Sequence, residues 1–155
     1  MTVVLDANIL LRLADPTAPQ YTAANAAVTL LRQQANDLRP LPQSLYEFWV
    51  VATRPTANNG LGLTVAEAAA ELARIDTIFP VLNDTPALLA EWRALGAAHD
   101  CKGKVAHDAR YVAAMRTHGL TDILTFNGAD FARFPGLTVL DPHAVAAHAP
   151  QGGTP

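Results

Sequence analysis

Short unbroken apolar runs alternate along this chain with longer helix-like stretches. Val3-Val4-Leu5 is the first such run, closed by Asp6. A run of this kind fits a strand buried on both faces of a parallel sheet. Asn8 to Leu13 reads as a short helix closed by Asp15-Pro16, and Tyr21 to Asn36, free of Gly and Pro, as a longer one. Leu38 to Gln43 reads as a short strand weakened by Pro40 and Pro42. Ser44 to Arg54 is then a helix that Pro55 ends, and Thr56 to Leu63 a loop turning at Asn58-Asn59-Gly60. Thr64-Val65-Ala66-Glu67 is a capping box for a helix to Phe79. Pro80-Val81-Leu82 reads as a brief strand. Thr85-Pro86 reads as an N-cap and first helical residue for a helix to His99. Asp100 to Val105 is a loop, His107 to His118 a helix capped by Gly119, and Ile123 to Thr125 a strand. Phe126 to Gly136 is a loop and Thr138 to Leu140 a last strand. Short strands alternating with helices imply βαβ units: an α/β fold whose parallel sheet is covered on both faces. Residues 1–148 read as one domain without internal repeat or linker. Residues 149–155, with Pro150, Gly152 and Gly153, read as a disordered tail.

Composition narrows the class. Half of the 155 residues are apolar, which excludes an intrinsically disordered chain. Only 16% are charged, against about 25% in ordinary soluble domains. A surface this poor in charge suits self-association or a partner; an alanine-rich chain is the plainer explanation. The single cysteine, Cys101, excludes an internal disulfide and a cysteine-based zinc site. Met1 leads directly into the first strand, so no signal peptide is expected. No apolar run reaches the roughly 20 residues of a membrane span, and the cytoplasm is the expected location. The net charge of −3 offers no global basic field for nucleic acid. Any nucleic acid must be held by local cations or a bound metal.

Open α/β sheets bind ligands beyond the carboxyl ends of their strands. Asp6 directly follows the first strand, and Asn127 and Asp130 follow the strand Ile123 to Thr125. Glu47 and Asp108 lie in the first turns of their helices. Separate elements thus deliver oxygen ligands to one end of the sheet. An all-oxygen set without cysteine suits a hard cation, Mg²⁺ or Mn²⁺, and clustered carboxylates need a cation to offset their repulsion. Each acid also has a plainer explanation. Asp6 could cap the helix near Asn8. Asp108 could simply complement a helix dipole. Glu47 could close a capping box with Ser44, Asp130 could be a solvated loop acid, and Asn127 a turn residue beside Gly128. His99, His118, His143 and His148 read as surface histidines; His107 could touch the site or cap its helix. Trp49 and Trp92 read as core or interface residues. The remaining aspartates, Asp84, Asp122 and Asp141 among them, read as turn, cap or surface acids.

Four segments resemble the PIN-domain family, in particular the VapC-like ribonuclease toxins of toxin–antitoxin pairs. They are Val3 to Leu11; Ser44 to Trp49; His107 to Ala113; and Leu124 to Phe131, continuing through Phe134 to Leu137. They span nearly the whole chain in the expected order. The resemblance implies a three-layer α/β/α fold and a metal-dependent ribonuclease, with Asp6, Glu47 and Asp108 at the family's three acids. Where Asn127 stands some relatives have an Asp, and others rely on the acid here at Asp130. The implied cofactor is Mg²⁺, with Mn²⁺ able to substitute, held on Asp6 and Asp108. Glu47 and Asn127 or Asp130 would bind directly or through water. Arg12, Lys102, Lys104 and Arg110, with Arg54 and Arg133, are the cations near these motifs that could contact RNA phosphates. The implied partners are an RNA substrate, an antitoxin and a second copy in a homodimer.

Other readings remain at this point. Val4 to Asn8 is superficially similar to haloacid-dehalogenase-like phosphatases, but these need a second Asp where Asn8 stands and a later helical lysine, and the chain has only Lys102 and Lys104. A PIN-like module that binds without cutting is favoured by the neutral Asn127. A stand-alone RNA-processing nuclease keeps the chemistry without the toxin role.

Overall fold

A computed structural model describes residues 1–148 of the chain; the sequence-expected tail, 149–155, lies outside the described residues. Four strands form one all-parallel sheet: β1 (Thr2–Leu5), β2 (Asp37–Pro40), β3 (Asp122–Leu124) and β4 (Thr138–Leu140), in the order β2-β1-β3-β4. The helices are α1 (Ala7–Leu13), α2 (Tyr21–Gln33), α3 (Pro42–Thr53), α4 (Val65–Ile78), α5 (Leu88–Ala98), α6 (Val105–Thr117) and α7 (Pro142–Ala147). Single 3₁₀ turns occupy Thr56–Asn58 and Gly128–Phe131.

Strand alternation builds the three layers, since successive side chains point to opposite faces. Val3 and Leu5 of β1 and Leu124 of β3 enter one core with Ile9, Val28, Leu31, Phe48, Ile75 and Phe79. Val4 and Ile123 enter the other, with Leu88, Leu95, Val112, Met115 and Phe131. Helices α1 to α4 therefore cover one face, and α5 and α6 the other. The central strands carry apolar residues on both faces, which explains why β1 reads as an unbroken run. Trp49 packs against the first core and Trp92 against the second, where Trp92 Nε1 donates to the Ala106 carbonyl at 2.8 Å.

Several boundaries differ from the sequence expectation. Residues 80–82 form no strand: Leu82 N–H donates to Pro40 O at 2.9 Å. Pro80 has no N–H to give, so the segment docks at the sheet edge without forming a ladder. Helix α3 begins at Pro42, not Ser44, because proline suits the first helical position. Helix α5 begins at Leu88, and Thr85 does not cap it; the Thr85 hydroxyl is buried without a partner. Helix α7 was not expected. Asp141 nucleates it by accepting from the N–H groups of His143 and Ala144, with Pro142 following. Asp122, expected as a turn, cap or surface acid, instead lies buried in β3 and accepts from the Thr121 hydroxyl. No helix among the described residues is long and apolar enough to cross a membrane.

Candidate active site: an acidic cleft at the strand ends

The chain leaves β1 towards β2 on one side and returns to β3 on the other. The carboxyl ends of β1 and β3 thus flank a topological switch point, where open sheets leave a crevice. Asp6 follows β1 and Thr125 follows β3. The Thr125 hydroxyl donates to Asp6 Oδ2 at 2.6 Å, and Asn8 Nδ2 donates to the same oxygen at 3.0 Å. Asn8 Nδ2 also donates to Thr125 Oγ1, while Asn8 Oδ1 accepts the Phe126 N–H. This small network ties the two strand ends together around one carboxylate. Asp6 occupies the N-cap position of α1, yet its side chain makes no capping hydrogen bond to the helix backbone, and its bond from α1 comes from the Asn8 side chain; the capping explanation does not hold. Asp6 is only 7% exposed. Burial raises its pKa, the charge of Glu47 raises it further, and the Thr125 hydrogen bond opposes both.

Glu47 lies one turn into α3 and is not Ser44's capping partner. Ser44 Oγ accepts the Leu41 N–H at 3.1 Å and donates to Leu5 O at 2.7 Å, bolting α3 to β1. Glu47 instead accepts from Gln43 Nε2 at 2.9 Å on Oε1 and from the Tyr111 hydroxyl at 3.2 Å on Oε2. Tyr111 also accepts the Ala7 N–H through its hydroxyl. Burial, with Asp6 and Glu47 nearby, raises the Tyr111 pKa well above its ordinary value. Its proton is therefore a permanent donor to Glu47.

Asp108 stands in the first turn of α6. Its pKa is raised to about 6, first by burial and then by the charge of Asp130, with Lys104 opposing and Asp6 and Glu47 adding smaller increments. Asp130 comes from the 3₁₀ turn after β3, and Lys104 Nζ lies 4.0 Å from its Oδ2. A cleft of about 230 Å³ is lined by Asp6, Glu47, Lys104, His107, Asp108, Tyr111, Asn127, Asp130 and Phe131. All five residues singled out in the sequence, Asp6, Glu47, Asp108, Asn127 and Asp130, thus reach one cavity.

The expected cations divide. Lys104 is in the cleft. Arg110 lines the adjoining groove with Arg54, but its guanidinium binds Gln43 and Asp84. Arg12 donates to Gln20, and Lys102 pairs with Asp100 on the surface. Asn8, Gln43, Tyr111 and Thr125 were not singled out in the sequence as site residues. Spacing held a signal for two of them: Gln43 precedes Glu47 by four residues and Tyr111 follows Asp108 by three, placing each pair on one helix face.

The donor set is oxygen-rich and anionic, the chemistry that a hard divalent cation requires. Among the described residues, no three His, Cys, Asp or Glu side chains are already closed to a ligating geometry. The acids ring the cleft, and burial first, with the charge of neighbouring acids adding to it, raises the pKa of Asp6 and Asp108. The residues present fit such an ion in chemical kind, and they line one cleft.

The family model described as the PIN domain matches residues 3–137, a span holding all five cleft residues. The chain belongs to the PIN-domain family. Solved structures share the fold of this PIN domain. VapBC2 from Rickettsia felis, bound to a DNA fragment from its promoter, has a TM-score of 0.66 at 15% identity, covering 91% of this chain and 98% of that one. VapC20 from Mycobacterium tuberculosis, a toxin that cleaves the sarcin-ricin loop, has a TM-score of 0.62 at 20% identity, covering 84% and 93%. A toxin–antitoxin complex from Klebsiella pneumoniae gives 0.59 at 22% identity, covering 90% and 97%. No curated protein matches the chain by sequence.

Proposed function

We propose that this PIN domain is a metal-dependent endoribonuclease and the toxin of a toxin–antitoxin pair, acting in the cytoplasm. The observation that carries the nuclease reading is the convergence of Asp6, Glu47, Asp108, Asn127 and Asp130 on one cleft at the switch point of the sheet. Mg²⁺, or Mn²⁺ in its place, would be held by Asp6 and Asp108, with Glu47 and Asn127 or Asp130 binding directly or through water. Such an ion, when bound, activates water at neutral pH and offsets the charge on a phosphodiester. The chain's own residues orient the site. Thr125 and Asn8 fix the Asp6 carboxylate, Tyr111 and Gln43 fix that of Glu47, and Lys104 brings one positive charge to meet a phosphate. With Asn127 neutral, the site carries one charge fewer than an all-acid set and holds a second ion more weakly.

The toxin role is supported by the fold shared with VapC20 and with chains solved in toxin–antitoxin complexes. An antitoxin and a second copy of the chain are the proposed protein partners. Tyr46, Val50 and Leu89, each more than half exposed, supply apolar surface for them.

Cleavage of total cellular RNA by the wild type and by Asp108→Asn tests the activity. Discrete cuts by the wild type with Mg²⁺ or Mn²⁺, lost with chelator and at least a hundredfold weaker in the variant, are the expected result on the order of magnitude of a lost electrostatic contact. Equal cutting by both proteins, or cutting that survives chelation, would overturn the reading. A folded wild type that cuts nothing would favour the non-cutting binding module, which the neutral Asn127 suits.

A further inference from the structure

The geometry points to Gln43 as a positioning residue for Glu47, itself oriented by Arg110 and Asp84. This inference rests on the nuclease reading and extends it to residues outside the acidic set. Gln43 is 4% exposed, and its amide makes three hydrogen bonds. Nε2 donates to Glu47 Oε1 and to the His107 carbonyl, both at 2.9 Å, while Oε1 accepts from Arg110 Nη1 at 3.2 Å. A guanidinium only donates, and a carboxylate and a carbonyl only accept. Reversing the amide would therefore oppose donor to donor and acceptor to acceptor at all three contacts. One orientation is dictated, and it aims a donor at Glu47.

Arg110 is held in turn. Its Nη2 donates to Asp84 Oδ2 at 2.7 Å while Nη1 holds Gln43, so the planar fork bridges the two. Asp84 lies in the segment between α4 and α5, which is tied down on both sides. Leu82 N–H donates to Pro40 O, and His118 Nε2 donates to Asn83 O at 2.8 Å. A relay thus runs Asp84–Arg110–Gln43–Glu47 and joins that segment, α6 and α3. With Tyr111 on Oε2 and Gln43 on Oε1, each Glu47 oxygen has one fixed donor. Each keeps acceptor capacity for a ligand in the cleft. Arg110 on this reading serves the site through Gln43 and does not grip the RNA.

Two substitutions separate these roles. Gln43→Met keeps length and helix preference but removes both polar atoms; Arg110→Met removes the fork at a less buried position. Mn²⁺ affinity would be measured on the protein without RNA, together with kcat and KM for RNA cleavage. Gln43→Met is expected to weaken Mn²⁺ binding severalfold and lower kcat about tenfold, the effect of losing roughly one oriented hydrogen bond to a charged group, with KM within about twofold. Arg110→Met is expected to change kcat in the same direction by less. The double variant should be no worse than Gln43→Met, because the two act in series. An Arg110→Met protein with raised KM, unchanged kcat and unchanged Mn²⁺ affinity would overturn the relay and make Arg110 an RNA contact. Were Gln43→Met not to fold, Arg110→Met alone would decide on those same three readings. A wild type that neither binds Mn²⁺ nor cuts RNA would overturn the nuclease reading itself, whereas an active wild type matched by both variants would overturn only the positioning role.

Discussion

Asp108 shows how one side chain links burial, charge and pH. Its carboxyl is held near 6 in the fold against an ordinary value of 3.8, with burial the first cause and Asp130 the second. The folded chain therefore binds this proton more tightly than the unfolded chain does. The resulting stabilisation is complete below about pH 4 and is lost as pH rises through about 6. In chelator at pH 8, Asp108→Asn should melt a few degrees above the wild type, because the charge that is costly to bury has been removed. The difference should shrink through pH 6 and vanish near pH 4. Melting curves of both proteins across that range check the expectation. A variant less stable than the wild type at pH 8 would mean that the ionised carboxylate has a structural partner. Asp6 belongs to the same class by direction, since burial and Glu47 raise its pKa as well.

At the scale of elements, a buried hydroxyl bolts α3 to β1, whose apolar faces share one core. Ser44 is fully buried, accepts the Leu41 N–H and donates to Leu5 O, one residue before Asp6. Ser44→Ala leaves both backbone groups buried without that partner, at a cost of about 1–3 kcal/mol. For a chain of this size that lowers the melting temperature by roughly 2–4 °C per kcal/mol. The same bond holds Asp6, which follows β1, in register with Glu47 on α3. RNA cleavage should therefore fall in Ser44→Ala even at temperatures where the variant is fully folded, and activity and circular dichroism measured together would separate the two effects. Ser44 also shows why spacing misled. Ser-x-x-Glu has the pattern of a capping box, but Pro42 starts the helix two residues earlier and moves Ser44 inside it. Its hydroxyl then serves Leu41 and Leu5, and Glu47 is left free for the cleft.

For the whole molecule, the decisive property is anionic excess. The chain carries a net charge of −3, and within the cleft Lys104 is the lysine or arginine among the lining residues. A divalent ion that binds only the folded cleft must stabilise the fold in proportion to its occupancy. Mg²⁺ or Mn²⁺ at a hundred times its dissociation constant should add about 2.7 kcal/mol to the wild type, and much less to Asp6→Asn or Asp108→Asn. Thermal melts with increasing Mn²⁺ check this. Equal shifts in all three proteins would place the ion elsewhere.

Much of this was legible in the sequence. The unbroken apolar run Val3–Leu5, and the strand read at Ile123–Thr125 that forms one residue earlier, at Asp122–Leu124, marked buried strands, because such strands meet apolar layers on both faces. The Thr64–Glu67 capping box marked the start of α4, where both of its bonds form. The position of Asp6 after a strand, and of Glu47 and Asp108 on their helices, identified acids that share the cleft. What the sequence left open was decided by contacts between residues far apart in the chain. Thr125 meets Asp6 across 119 positions, Tyr111 meets Glu47 across 64, and Arg110 meets Gln43 across 67. Local pattern reports which face a residue occupies. Which partner it finds there depends on how strands β1 and β3 are brought side by side, and that is a property of the packed sheet.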